Sequence, residues 1–422
     1  MTTEQGAELH RGPHGGNESG SHFEPYVTLL TGGFDKPYAF GLAIALAAKG
    51  LRLDVIGSDE IDSPELQANS NIRFLNLQSG WRTDVSVWKK LVRMMAFYLR
   101  IVTYLARSES KIVHILWNNK LLYIDRTVMM LYYKTLGKKI ALTAHNVNTA
   151  KRDKTDSWLN RWTLRVQYQL TDRIFVHTRK MKYELVAEFG VQPQTVQVIP
   201  FGLNNAVRHT DLQSKEAKAR LGIPTADPTV LFFGRIQPYK GLEYLVQAME
   251  MLNSGSSGKY RLIIAGAPKK EYVQYWHQIQ NLVQRGVLRD RVIQHIGYIP
   301  DDETEVYFKA ADVFVLPYTE IYQSGVLFLG YSFGLPVIAT DVGGFADEIV
   351  PGVTGWLCKP ADVVDLAETL AFHFRSQLYA ELDQRREQIK DFAHSRYSWE
   401  EVGHLTVLSY GALTGDCHFE SR

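Results

Sequence analysis

Two cations share a short glycine-bounded loop in the second half of the sequence. The segment GRIQPYKG (234–241) carries Arg235 and Lys240 between an apolar run and an amphipathic segment. A guanidinium offers a planar fork of donors and an ammonium offers a point charge, a pair that suits a diphosphate better than a lone carboxylate. Two solvated surface cations are the alternative. Their place after an apolar run favours an anion site.

A second candidate anion site is the sequence QSGV at 323–326, which opens an apolar segment. The segment predicts a helix packed on a sheet, and the free N–H groups at a helix N-terminus attract anions. Because Ser324 and Gly325 are small, a phosphate could approach the backbone there, next to Val326. Ordinary N-capping by Ser324 is the alternative.

Two weaker candidates lie in the first half of the chain. Gly32 and Gly33 follow the first apolar run, where they either let a substrate approach the backbone or merely turn the chain. His145 ends the run KIALTA and could hydrogen-bond a sugar hydroxyl or carry protons. A structural role for His145 stays open.

Several motifs are missing from the sequence. It contains no G-x-G-x-x-G fingerprint, no P-loop, no G-x-S-x-G elbow and no D-x-D pair. A diphosphate site without carboxylate metal ligands must use Arg, Lys and helix dipoles. We therefore expect no metal and no cofactor.

The elements that must position these residues are short apolar runs alternating with amphipathic segments. This alternation is typical of a parallel, doubly wound α/β sheet, in which ligands bind beyond the carboxyl ends of the strands. A polar stretch at 204–227 interrupts the alternation, which then restarts, so two such domains are predicted. The predicted strands are 26–31, 51–57, 72–77, 111–116, 139–144, 172–178 and 196–200, then 229–234, 260–266, 291–297, 311–317 and 335–340.

Length and composition agree with two domains, since 422 residues exceed one ordinary core and 45% of them are hydrophobic. Two cysteines and the lack of an 18-residue uncharged apolar run predict a cytoplasmic protein without a membrane span. The predicted parts are a flexible tail at 1–22, an N-terminal domain at 23–205, a C-terminal domain at 206–395, and a last helix with its tail at 396–422.

Taken together, these motifs resemble glycosyltransferase family 4, the retaining nucleotide-sugar enzymes of the GT-B fold. The resemblance covers about residues 25 to 413 and implies two Rossmann-like domains that face each other across a cleft, with the last helix crossing back to the first domain. The segments that carry it are GRIQPYKG (234–241), GLPVIATDVGGFADEIVPGVTGWL (334–357), Gly32-Gly33, TAHN (143–146), VIPFGLN (198–204), GYIP (297–300) and YSW (397–399).

The resemblance also implies roles for single residues. Arg235 and Lys240 would hold the donor diphosphate, and the amides of Ser324, Gly325 and Val326 would cap it. His145 would touch the transferred sugar, the Gly33 amide would lie near the phosphates, and Tyr298 in GYIP would lie against the nucleobase. Cations and amide dipoles would then stabilise the departing diphosphate without a metal.

One departure from the family pattern concerns two glutamates eight positions apart, the first at the sugar and the second on the ribose. Alignment on GLPV places them at Ile321 and Leu329, neither of which is acidic. Glu320 is one residue early and could replace the first. Nothing nearby replaces the second, so ribose binding must differ.

The resemblance therefore predicts a retaining hexosyltransferase that uses a nucleotide-diphosphate sugar. The C-terminal domain would bind this donor, and the N-terminal domain would bind a glycan or lipid-linked acceptor. The alternatives are another GT-B enzyme, such as a nucleotide-sugar epimerase or an inverting transferase, and a catalytically silent sugar-nucleotide-binding protein. No nucleic-acid partner is expected.

The segment 85–107 predicts one amphipathic helix with two apolar stripes. We expect the stripe of Trp88, Leu91, Val92, Met95, Leu99 and Val102 to face the domain core. We expect the stripe of Met94, Phe97, Ile101 and Tyr104, beside Lys89, Arg93, Arg100 and Arg107, to face an anionic membrane at the inner side of the plasma membrane.

The charge balance points the same way, because residues 1–200 contain 26 Lys and Arg against 18 Asp and Glu. The acceptor would then be a lipid-linked precursor of a polysaccharide or glycoconjugate. Burial of both stripes between helices or in a dimer interface is the alternative.

Overall fold

The first half of the chain forms a seven-stranded parallel sheet. The computed structural model describes residues 26–33, 36–78, 86–204, 207, 209–255 and 260–415, so the predicted tail at 1–22 lies outside the described residues. The strand order is β3-β2-β1-β4-β5-β6-β7. The strands are β1 Val27–Leu30, β2 Leu53–Gly57, β3 Ile72–Asn76, β4 Ile112–Ile115, β5 Lys139–Thr143, β6 Arg173–Val176 and β7 Val196–Val198.

Eight helices connect these strands and cover both faces of the sheet. They are α1 Lys36–Ala48, α2 Pro64–Ala68, α3 Val87–Arg107, α4 Leu122–Ile124, α5 Met130–Thr135, α6 Thr149–Arg152, α7 Trp158–Leu170 and α8 Arg179–Phe189. A π-helical segment, Asp125–Met129, joins α4 to α5. The residues of β1 and β4 are buried throughout, as expected for parallel strands covered on both sides.

The second half forms a six-stranded parallel sheet in the order β10-β9-β8-β11-β12-β13. The strands are β8 Thr229–Phe233, β9 Arg261–Ala265, β10 Val292–His295, β11 Val313–Leu316, β12 Val337–Thr340 and β13 Gly355–Cys358. The helices are α9 Ser214–Arg220, α10 Leu242–Ser254, α11 Val273–Arg285, α12 Asp301–Ala310, α13 Gly325–Ser332, α14 Phe345–Glu348, α15 Val363–His373, α16 Gln377–Ala380, α17 Leu382–Tyr397 and α18 Trp399–Thr414.

The prediction of two doubly wound α/β domains is confirmed, and each of the twelve predicted strands is present. The thirteenth, β13, was not predicted, because its four residues follow a turn and show no apolar run of strand length. Gly355 begins β13 with φ +150°. A Cβ at this position would clash with the carbonyl of Val337 on β12, so only glycine lets the edge strand pair so closely.

The last helix, α18, returns to the N-terminal domain and packs on α1. Gly403 lies against Ala45 of α1, and the Tyr410 hydroxyl is 2.6 Å from Nδ1 of the buried His114 on β4. At its start, Trp399 donates its indole N–H to the carbonyl of Leu203 at 2.6 Å. The helix therefore completes the core of the first domain.

Helix α3 exposes the opposite face from the one we predicted. Phe97 and Ile101 are 2% and 0% exposed, and Met94 and Tyr104 are partly buried beside them. Trp88 and Leu99, assigned to the core, are 72% and 64% exposed. Val102 is the residue of the predicted core stripe that does pack against the core. For the other residues the assignment was wrong, because both stripes are apolar and only the positions of neighbouring polar groups distinguish them.

Those polar groups belong to tyrosines on the buried side of α3. The Tyr104 hydroxyl donates to Asp54 on β2, and the Tyr98 hydroxyl donates to Asp125 at 3.0 Å. Among the described residues, no helix is both long and apolar enough to cross a bilayer.

Candidate active site

A cavity of about 390 Å³ lies in the cleft between the two domains, and residues of both domains line it. We call it the interdomain cavity. The N-terminal side contributes Pro37, Tyr38 and Phe201–Asn204, and Trp399 closes one end. Five of the predicted site residues line the cavity together: Arg235, Lys240, Tyr298, Gly325 and Val326.

Lys240 is a buried cation without a counterion. Its side chain is only 7% exposed, and no carboxylate lies within ion-pair distance of it among the described residues. Burial lowers the pKa of Lys240, and the nearby cations Arg235 and Arg152 lower it further. An unpaired buried ammonium raises the free energy of the folded protein. Binding of an anion next to Lys240 is therefore favourable.

The loop that carries the two cations is held against the neighbouring strand end. Residues Pro238–Lys240 form a single 3₁₀ turn, and Gly241 follows with φ +64°. A Cβ at Gly241 would clash with the carbonyl of Pro317, just after β11. The loop is therefore fixed at the carboxyl ends of β8 and β11, where α/β sheets bind ligands.

The N-terminus of α13 forms another part of the cavity wall. Gly325 and Val326 make its first turn, and Ser324 is the N-cap residue. The Ser324 hydroxyl makes no capping hydrogen bond, so the structure does not realise the capping alternative. The N–H groups of the first turn have no acceptor within the helix, and they add positive potential to the cavity.

Leu329 lies one turn further along α13 and gives the cavity a hydrocarbon wall. Its side chain is 5% exposed and packs in the C-terminal core. Ile321 is buried as well, so neither position of the expected glutamate pair supplies a charge. Among the described residues of the cavity wall, one is acidic: Asp301, in the first turn of α12.

Four predicted site residues are not part of the wall of the interdomain cavity: Ser324, which is the N-cap residue of α13, and Gly33, Glu320 and His145. Gly33 follows β1 with φ +74° and donates its N–H to Oγ1 of Thr31 at 3.3 Å. Glu320 is exposed, within range of the charge of Arg152. His145 lies behind Tyr38, whose ring centre is 4.5 Å from its own.

His145 is held in a cluster of rings at the end of β5. It stacks on Trp117 with the ring centres 4.1 Å apart and the planes nearly parallel. Its Nδ1 is 3.1 Å from Nε2 of His177, which follows β6. Burial lowers the pKa of His145 well below its usual value, and the neighbouring histidines add to the effect. The imidazole is therefore neutral near pH 7.

The hydrogen bonds of the cluster assign the tautomer of His145. Nδ1 of His177 is 3.4 Å from the carbonyl of Ile199, which can only accept, so Nε2 of His177 carries the lone pair. The proton of the His145–His177 bond then lies on Nδ1 of His145. Nε2 of His145 is left as a buried acceptor that has no partner among the described residues.

A second cavity, of about 470 Å³, opens on the other side of His145 within the N-terminal domain. Sequence motifs did not predict this cavity, because its wall combines residues of α4, the π-helical segment, β5, α6 and α7 with the loops after β4 and β5. Asn118 and Gln167 lie in its wall and make two hydrogen bonds to each other, of 2.8 and 3.2 Å. Arg126, Asn146 and His145 also line it.

Contacts between the domains frame the interdomain cavity. The guanidinium of Arg152 lies 4.6 Å from the centre of the Tyr239 ring across the cleft. The buried hydroxyl of Tyr322, between β11 and α13, donates to Glu184 of α8 at 2.8 Å. Sequence reasoning assigned no role to these residues, since each contact joins segments far apart in the chain.

Comparison with family models matches both halves of the chain. A model described as "Glycosyltransferase Family 4" matches residues 37–206, and one described as "Glycosyl transferases group 1" matches residues 213–394. The chain is 24% identical over 398 residues to D-inositol 3-phosphate glycosyltransferase of Corynebacterium efficiens, covering 90% of this chain and 91% of that protein. The enzyme of the same name from Nocardia farcinica is 29% identical over 251 residues, covering 58% of this chain and 54% of that relative.

Solved structures share the fold at lower sequence identity. Sucrose-phosphate synthase from Thermosynechococcus elongatus superposes with a TM-score of 0.72 at 22% identity, covering 93% of this chain and 99% of that one. The Anabaena protein HepE, solved in complex with UDP and glucose, superposes with a TM-score of 0.71 at 15% identity, covering 92% and 99%.

Proposed function

Because this chain belongs to glycosyltransferase family 4, we propose that it moves a hexose from a nucleoside-diphosphate sugar to an acceptor held by the N-terminal domain, with retention of configuration. The interdomain cavity would hold the donor. The HepE structures that share this fold contain UDP and UDP-glucose, which makes a uridine nucleotide the first donor to test.

The observation that carries the proposal is the unpaired, buried Lys240 beside Arg235 and the first turn of α13. A diphosphate would supply the missing negative charge. As the bond to the sugar breaks, the leaving oxygen gains charge, and cations fixed in advance stabilise that state more than the ground state. The chain's own cations would therefore assist departure of the leaving group.

His145 would act on the transferred sugar rather than on the diphosphate. Its free Nε2 can accept a hydrogen bond from a sugar hydroxyl, because the proton of the ring lies on Nδ1. The ring is fixed by Trp117 and His177 and is separated from the interdomain cavity by Tyr38. A sugar in front of Tyr38 would reach it after a small movement of that ring.

For the acceptor, we propose a lipid-linked glycoconjugate precursor at the cytoplasmic face of the membrane. The exposed α3 face, formed by Trp88, Leu91, Val92, Met95 and Leu99, supports this proposal. Lys89, Arg93, Arg100 and Arg107 are exposed along one flank of that face. Apolar side chains bordered by cations match an anionic lipid surface.

Calorimetric titration with UDP, GDP, ADP and dTDP tests the donor site. One nucleotide should bind, and Lys240→Ala or Arg235→Ala should weaken it by about tenfold or more while the fold stays intact. Lys269→Ala is the matched control, since that exposed lysine of the same domain pairs with Glu271 away from the cavity. Wild-type affinity in a Lys240→Ala, Arg235→Ala double variant would refute the assignment.

Turnover of the donor then separates the proposed enzyme from its alternative. Without acceptor, a transferase slowly hydrolyses the donor, so that water takes the sugar and the nucleoside diphosphate is released. With acceptor, release of the nucleoside diphosphate is faster. A protein that binds the nucleotide tightly and never cleaves the donor would instead be a silent sugar-nucleotide-binding protein.

A further inference from the structure

We propose that the second cavity binds the phosphate group of an amphiphilic acceptor. Arg126 would bind the phosphate, and the surface beside α4 would bind the apolar part of the acceptor. This inference rests on the proposed function, because the ligand would be the acceptor. It adds the chemistry of that acceptor and the residues that recognise it.

The chain places Arg126 in the cavity wall through an unusual helical turn. Arg126 is the second residue of the π-helical segment Asp125–Met129, between α4 and α5. Such turns are rare and recur at functional sites. The preceding residue, Asp125, is buried, and its Oδ1 accepts from Tyr98 and from Asn119 at 3.3 Å.

The guanidinium of Arg126 has unused hydrogen-bonding capacity. Its Nη1 donates to Oδ1 of Asn160 at 2.8 Å, while its Nε is buried and has no partner among the described residues. No carboxylate of the described chain lies within ion-pair distance of it; the adjacent Asp125 acts on it only through space. Arginine stays protonated in proteins, so this part of the cavity attracts an anion.

The rest of the cavity wall suits a hydroxylated group. Oδ1 of Asn146 is buried and unpartnered among the described residues. The carboxamides of Asn118 and Gln167 hydrogen-bond to each other and so fix this part of the wall. A ligand with a hydroxyl next to its phosphate would donate to Oδ1 of Asn146 and satisfy that atom.

Exposed apolar side chains lie on two of the helices that line this cavity, α4 and α7. Leu122, Tyr123 and Ile124, just before the π-helical segment, are 40–49% exposed and line a smaller adjoining cavity. On α7, the rings of Trp158 and Trp162 are exposed, with their centres 6.4 Å apart. An anion-binding site next to exposed apolar side chains fits a phosphate ester that carries a hydrocarbon chain better than a free phosphate.

Calorimetry with octyl phosphate, octyl glucoside and methyl phosphate, each added to the UDP-loaded protein, tests the inference. Octyl phosphate should bind about tenfold tighter than the neutral glycoside and about tenfold tighter than methyl phosphate. Arg126→Gln should remove the advantage over the glycoside, Arg126→Lys should keep part of it, and UDP affinity should not change. Arg165→Gln, on the exposed side of α7, is the matched control.

A second variant tests the apolar part without touching the interior. Leu122→Ser with Ile124→Ser should reduce octyl phosphate affinity to that of methyl phosphate, and both side chains are exposed enough for the fold to tolerate the change. Equal binding of the two phosphates in the wild type would indicate a free phosphate acceptor and overturn the amphiphile.

Two other results separate failure of the inference from failure of the proposed function. If the protein binds UDP but shows no preference for octyl phosphate over octyl glucoside, the anion-binding site at Arg126 is overturned and the proposed function is not. Failure of every nucleotide to bind would remove the proposed function and this inference together.

Discussion

The contrast between Lys240 and Glu320 shows what a local motif can and cannot predict. Lys240 was predicted from a glycine-bounded loop after an apolar run, and the structure places it, buried and unpaired, in the interdomain cavity. Glu320 was proposed only because it is adjacent to the aligned position, and it lies outside the cavity wall. A motif fixes backbone position, whereas the direction of an exposed side chain depends on neighbours that the motif does not contain.

His145 allows a direct test of a role in turnover. We expect His145→Ala to lower kcat by about tenfold to a hundredfold while nucleotide affinity stays at the wild-type value, because the role proposed for the imidazole is to contact the sugar and not the diphosphate. The pH profile adds a second check. Because the pKa of His145 lies well below 6.5 in the folded protein, the wild type should show no change in turnover around pH 6.5 that depends on this residue.

The outcome that contradicts this role is a parallel loss of turnover and nucleotide binding with a lower melting temperature. His145 would then only support Trp117 and Tyr38. His145→Gln is the control, because its amide can still accept a hydrogen bond near the position of Nε2.

At the scale of elements, the strands and the helices between them were predicted well, because one continuous stretch of sequence determines each of them. The faces of α3 were not, because two apolar stripes give the same signal and the hydroxyl partners of Tyr98 and Tyr104 lie on other elements. The second cavity was missed for the same reason, since Asn118, Arg126, Asn146 and Gln167 belong to four segments without a shared motif.

The corrected orientation of α3 changes which residues should bind a membrane. We expect the protein to sediment with phosphatidylglycerol vesicles at low salt and to be released at high salt. Replacing Lys89, Arg93, Arg100 and Arg107 with Gln should weaken this binding about a hundredfold or more, at about 1 kcal/mol for each cation. Trp88→Ser with Leu99→Ser should weaken it as well, because both side chains are exposed.

Nucleotide affinity should be unaffected by these changes. The control for net charge replaces four exposed cations of the C-terminal domain, Lys215, Arg220, Lys270 and Arg289, with Gln. Vesicle binding that survives the loss of all four cations and both apolar side chains would place the membrane surface elsewhere. No binding by the wild type would favour a water-soluble acceptor.

At the scale of the whole molecule, a buried hydrogen bond from Tyr322 to Glu184 joins the two domains. Tyr322 is 9% exposed and reaches from the C-terminal domain to Glu184, which also lies 3.5 Å from Lys151. Both domains form the wall of the interdomain cavity, because Tyr38 and Phe201 line it together with Arg235. Donor affinity should therefore depend on this contact.

We expect Tyr322→Phe to weaken donor binding about fivefold, since one buried hydrogen bond contributes about 1 kcal/mol to the closed arrangement. Small-angle scattering of the ligand-free protein should show a larger radius of gyration in this variant. Tyr183→Phe, on the exposed side of α8, is the control. An unchanged radius together with unchanged affinity would show that the contact does not hold the domains together.

The return of α18 to the N-terminal domain has a consequence for synthesis on the ribosome. Val402, Val407 and Tyr410 belong to the same buried cluster as the residues of β1 and α1. The domain made first therefore lacks part of its core until the last helix has been translated, while the domain made second already has all of its strands. During synthesis, the apolar surface of α1 that α18 will cover is exposed to water. The N-terminal half leaves the ribosome first, yet it would need a chaperone on this surface for longer than the C-terminal half needs one.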